Sequence, residues 1–121
     1  MSQFAKSSLI LNMEYIIATQ FSRTPSARVE SEGKYPGQQL REIIVPMIKE
    51  CIEKNETFLI DLDGTAGYGT SFLEEVFGGL VRIEHLSYEN LKKHLKIKSD
   101  EEEELIEECW SYIEDAHNAK D

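Results

Sequence analysis

Two carboxylates, Asp61 and Asp63, stand one residue apart at the end of an apolar run, FLIDLDGT, with a glycine and a threonine behind them. A carboxylate at a strand end can attack phosphorus, and a second one close by can protonate the leaving group. In that chemistry Asp61 is the nucleophile and Asp63 the acid, with magnesium held by Asp61 and a backbone oxygen. Acidic residues followed by glycine also start ordinary turns, where turn amides or an arginine such as Arg28 or Arg41 take up the charge. A few residues on, GTSFLEEVFGGL carries a different chemistry. Ser71 lies three residues before Glu74, the spacing of a capping box, which makes Ser71 the expected N-cap of an amphipathic helix. A phosphate is electrostatically welcome at such an end, and phosphorylation of Ser71 or Thr70 would add about two negative charges at an exposed corner.

The elements that must position these residues are legible from periodicity. Leu9 to Thr19 alternates as a strand, and FSRTPSARVESEGKYPG follows as a long excursion with a short strand expected around Ala27 to Glu30. Gln38 to Lys54 has one apolar stripe at helical spacing, with Pro46 expected to bend it or to mark where its regular part begins. FLIDL reads as the central strand, and Phe72 to Val81 as a second helix stripe. Within that helix Gly78 and Gly79 each cost on the order of 1 kcal/mol relative to alanine, so close backbone approach to the sheet or to a partner's helix is expected there. Glu74, Glu75, Gly78 and Arg82 then read as an exposed face of carboxylates around a groove without side chains. A short helical turn, a lysine-guarded edge strand at Leu95 to Lys98, and a long amphipathic helix opened by Ser99 and Glu102 complete the chain. The order implies one α/β domain, a mixed sheet of about four strands packed with three main helices.

Composition narrows the classes. With 121 residues this is one domain, and no apolar run approaches the roughly 20 residues of a membrane helix. The start, MSQFAKSS, lacks the apolar core of a secretory signal, which points to the cytoplasm. A net charge of -10 repels a phosphate backbone, so nucleic acid is not an expected partner. Cys51 and Cys109 fall on apolar helix faces and read as small buried hydrophobes. His85, His94 and His117 show no ligand spacing with them, so neither a metal nor another cofactor is expected.

Two resemblances follow from these residues. FLIDLDGT resembles the first motif of the haloacid dehalogenase-like phosphatases, which implies a small magnesium-dependent phosphohydrolase using Asp61 and Asp63. That family needs several further strands and motifs, whereas Thr65 to Asp121 read mostly as helix, so this is the alternative. DLDGTAGYGTSFLEEVFGGLVR, with the upstream FSRTPSARVESEGKYPGQQLRE, resembles the STAS-like domain family of unknown function found in bacteria, a distant relative of the anti-sigma-factor antagonists. This resemblance covers about Ile16 to Arg82 and implies a STAS-type fold and a regulatory, protein-binding role without catalysis. In the antagonists the strand-to-helix corner carries a serine that a partner kinase of histidine-kinase-type ATPase fold phosphorylates to break the complex. By position that serine is Ser71 or its neighbour Thr70, although Gly69 stands where an aspartate is usual and Phe72 where a glycine is usual. The docking residues so implied are Tyr68, Gly69, Glu74, Glu75, Gly78, Gly79 and Arg82. Arg28 and Arg41 are expected to pair with Asp61 and Asp63 and so to fix the long loop.

Overall fold

The computed structural model describes residues 13–28 and 35–119. Strand β1, Met13–Ile16, leads into a single helical turn, α1, Ile17–Gln20, and helix α2 follows at Gly37–Lys54. Strand β2 is Phe58–Asp61. Helix α3 runs from Thr70 to Arg82 in three parts: α-helical at Thr70–Leu73, π-helical at Glu74–Gly78 and α-helical again at Gly79–Arg82. Helix α4, Tyr88–His94, passes directly into strand β3, Leu95–Lys98, and helix α5 closes the described chain at Glu104–Asn118.

Among the described residues the sheet has three strands in the order β1-β2-β3, and both pairings are parallel. The expected mixed sheet of about four strands is corrected to this. Among the described residues five helices are present where three main ones were expected; α2, α3 and α5 are the long ones. The short strand expected around Ala27 to Glu30 does not form over its described part. Ala27 takes a φ of 73°, and the carbonyls of Ala27 and Arg28 accept from the amides of Gly37 and Gln38. Those carbonyls therefore cap the open N-terminus of α2 and are not available to a sheet. Leu9 to Asn12, the first part of the expected first strand, lie outside the described residues. Its last part coils because the Ile17 carbonyl captures the amides of Phe21 and Ser22.

The strand order steps in one direction and both crossovers run through helices, so right-handed connections place α2 and α3 on the same face. There α3 packs between α2 and α5. Tyr15, Phe58, Ile60, Leu95 and Ile97 point into this helical layer and form one core with Leu40, Ile44, Ile48, Phe77, Leu80 and Ile113. Along a strand the side chains alternate, so Leu59 lies on the other face, in register with the exposed Glu14 and Lys96. β2 is central and buried along its whole length, as its apolar run implies.

Helix ends follow local chemistry. Asn55, at a φ of 58°, closes α2 in the left-handed conformation that asparagine tolerates. Ser87 caps α4 by accepting from the Asn90 amide at 3.1 Å. The Ser99–Glu102 box sits a turn before its helix: Ser99 Oγ exchanges bonds with the Glu102 backbone, and α5 starts at Glu104. Pro46 lies inside α2 on its exposed side.

Candidate functional site: the strand-to-helix corner

β2 ends at Asp61 and α3 begins at Thr70, so residues 62–69 turn the chain at the C-terminal edge of a parallel sheet, where α/β folds commonly place their sites. Parallel register sets Asp61 beside Lys98. Lys98 Nζ reaches Asp63 Oδ2 at 3.1 Å, Asp100 Oδ2 at 3.2 Å and Asp61 Oδ2 at 3.5 Å. Asp63 also accepts from the amides of Asp100 and Glu101, at 3.0 and 2.9 Å. Asp61 Oδ1 accepts from the Asp63 amide at 2.9 Å. Desolvation pushes the Asp63 carboxyl up, but the Glu101 and Asp100 amides together with Lys98 outweigh it and hold it below its ordinary range. Asp63, followed by Asp100, in turn raises Lys98.

The expected pairing of Arg28 and Arg41 with Asp61 and Asp63 is therefore corrected. The partner of the DxD pair is Lys98 with two backbone amides, and the pair clasps the β2–α3 turn to the β3–α5 loop. Asp100 and Glu101 belong to that loop and precede α5. Among the described residues no group of three or more His, Cys, Asp or Glu side chains is arranged to hold a metal ion. Lys98 Nζ stands at the centre of the three aspartates.

Both arginines serve α3. Arg41, 3% exposed, donates from Nη1 to Glu75 Oε2 at 2.6 Å and to the Glu75 carbonyl at 2.9 Å. Its Nε binds Glu84 at 3.0 Å. Arg28 Nη1 bridges Glu74 and Glu75 at 2.6 and 3.1 Å, and Arg82 binds the other side of Glu74 at 2.6 Å. Burial works to raise the Glu74 carboxyl, and Arg82 and Arg28 together overcome it and hold it low. This overturns the expected exposed acidic face. Glu75, Gly78 and Gly79 are buried and Glu74 is half-buried. The glycines are explained inside the domain: a Cβ on Gly79 would lie 2.7 Å from Arg41 Nη1, and one on Gly78 would meet the Glu74 carboxylate and Arg82.

The corner itself is open. Gly69, Thr70 and Ser71 are exposed, and a Cβ on Gly67 or Gly69 would meet nothing within 4 Å. Ser71 is not the N-cap: Gly69 holds that position, with no side-chain cap bond. Glu74 cannot complete a capping box because the two arginines hold its carboxylate. Tyr68 is half-buried, its hydroxyl donating to the Leu62 carbonyl at 2.7 Å and its ring against Phe72. Phe72 in turn meets Phe21, which stacks edge-on with Tyr35, an exposed aromatic. Nothing in the sequence marks Lys98, Glu84 or Tyr35 for these contacts. Lys98 is visible there only as an edge guard, because its place beside Asp61 depends on strand register.

Both cysteines are fully buried. His94 uses Nδ1 on the Glu56 carbonyl, and His117 stacks on Tyr88. No helix of the described residues is long and apolar enough to cross a membrane. Comparison with curated proteins and with solved structures gives no match. Comparison with protein families matches residues 36–105, from the N-cap of α2 to the first turn of α5, so the upstream segment of the resemblance lies inside the matched region only over residues 36–42. With more than half of its length matched, the corner and α3 included, the chain belongs to the family described as the STAS-like domain of unknown function (DUF4325).

Proposed function

We propose that this chain is a non-catalytic regulatory module that docks a partner protein through the corner Gly67–Ser71, with Ser71 or Thr70 as the position of a phosphoryl switch. One observation carries the reading: Gly69, Thr70 and Ser71 are exposed at a helix start that has no side-chain cap. The carboxylates around them are engaged, Asp63 by Lys98 and amides, Glu74 and Glu75 by arginines. The docking surface is accordingly narrower than 68–82. It comprises the corner and the neighbouring aromatic Tyr35, while Glu75, Gly78 and Gly79 support it from within. The kinship with anti-sigma-factor antagonists supports a cytoplasmic partner of histidine-kinase-type ATPase fold that phosphorylates serine.

The test uses two substitutions that the fold accommodates. Gly69 has an extended backbone and open space around it, so Gly69→Trp covers the corner without touching the core, and Lys49→Glu alters an exposed position on α2 as control. Partners are recovered from the native cytoplasm and quantified by mass spectrometry, with phosphosites mapped on the same material. Gly69→Trp is expected to lose the specific partner that Lys49→Glu retains, and phosphate is expected on Ser71 or Thr70. An identical partner set in both variants contradicts docking at this corner.

A further inference from the structure

Three of the arginines in the described chain, Arg28, Arg41 and Arg82, are each ion-paired with glutamates. Arg23 is exposed and, among the described residues, forms no ion pair. Its backbone is fixed beside the corner. The Arg23 carbonyl accepts from the Ala66 amide at 2.8 Å, inside the turn that leads to Thr70. Two residues earlier, the ring of Phe21 lies 6.3 Å from that of Phe72, the residue that follows Ser71. The segment 21–23 therefore runs beside residues 66–72, and Thr70 and Ser71 fall between its two points of contact.

Hydroxyls at the same place are unengaged. Ser22 and Thr24 bond to each other, and Thr65 accepts from the Gly67 amide. Thr70 and Ser71 are both exposed, and neither side chain makes a hydrogen bond among the described residues. A guanidinium presents planar, paired donors on a long side chain, and that fork matches the oxygens of a phosphoryl group. The corner thus combines two open acceptor hydroxyls with a cation that has no carboxylate to hold it.

We propose that Arg23 receives the phosphoryl group of modified Thr70 or Ser71, so that modification bridges the segment 21–23 to the corner and obstructs docking there. This rests on the reading of those hydroxyls as the switch. The group comes from a nucleoside triphosphate held by the partner: the hydroxyl oxygen bonds to the γ-phosphorus, the bond to the β-phosphate oxygen breaks, the nucleoside diphosphate leaves and the hydroxyl proton is released. The phosphoryl oxygens then accept about one to three charge-assisted hydrogen bonds. The test uses the full chain carrying phosphoserine at position 71, or phosphothreonine at position 70, installed during synthesis. Its result is independent of any native kinase, whose absence would show separately in the phosphosite mapping. The Nε–Hε signal of Arg23, identified by its loss in Arg23→Lys, is followed by 15N NMR. In at least one of the two phosphorylated proteins that signal is expected to shift and its exchange with water to slow several-fold. The signal of Arg82, already held by Glu74, is expected to stay in place. An Arg23 signal unchanged in both proteins, or a change of the same size at Arg82, overturns the proposal.

Discussion

At the scale of residues, the charges of this domain sort by depth. Arg41 and Glu75 form a buried pair, 3% and 7% exposed, and removing the Glu75 carboxylate leaves the buried guanidinium with Glu84 as its remaining carboxylate. Glu75→Ala is expected to cost about 3–5 kcal/mol, whereas Arg41→Met with Glu75→Leu recovers much of that loss, as replacement of a buried pair by apolar groups commonly does. Urea midpoints of the two variants against the parent give the comparison. Asp63 gives a pH dependence. Its native pKa lies below its unfolded one, so the stability it contributes is present above the ordinary carboxylate range and is lost as pH falls through that range towards the native value. Glu74, also held low, acts in the same direction. The urea midpoint is expected to stay level from pH 7 to about 5 and to fall below that, with a shallower acid limb in Asp63→Asn. An unchanged acid limb in Asp63→Asn would remove the clasp role assigned to this carboxylate.

At the scale of elements, α2 carries a proline in its interior and α3 departs from regular α-helix. α2 runs unbroken through Pro46, which withholds a backbone donor in the helix interior. Pro46 is exposed, so Pro46→Ala is expected to stabilise the domain by about 1–3 kcal/mol, read as a rise in melting temperature. A fall would mean that the proline ring itself packs against something that alanine cannot replace. In α3 the departure is the π turn at Glu74–Gly78, which a stripe at ordinary helical spacing does not anticipate. Ordinary helical spacing puts Glu74, Glu75, Gly78 and Arg82 on an exposed face. The wider turn and two arginines from outside the helix place Glu75 and Gly78 in the interior.

At the scale of the whole molecule, the family match stops short of the fold. Residues 36–105 contain β2, β3 and the helices between them, but β1 and nearly all of α5 lie outside. Tyr15 and Ile17 from the N-terminal side, and Cys109, Ile113 and Ala116 from α5, are buried in the common core. A fragment of residues 36–105 is therefore expected to show no cooperative thermal transition by circular dichroism, because β2 loses a neighbour and α3 loses the helix packed along it. A fragment that melts cooperatively would place the folding core wholly within the matched region.

Sequence alone determined what depends on near neighbours. The hydrophobic periods placed α2, β2, α3, β3 and α5, lysines around Ile97 marked an edge strand, and the run FLIDL marked the centre of the sheet. The corner at Gly69 to Ser71 was readable because glycines and small polar residues between a strand and a helix have few other places to go. Tertiary structure decided which charges meet. Whether Arg28 and Arg41 serve Asp61 and Asp63 or Glu74 and Glu75 depends on how far the long loop reaches and on the register of β3 against β2, which brings Lys98 to the aspartates first. Ion pairs between residues far apart in the chain carry no periodic trace; they form wherever packing brings opposite charges together out of water, and only the assembled layers specify that place.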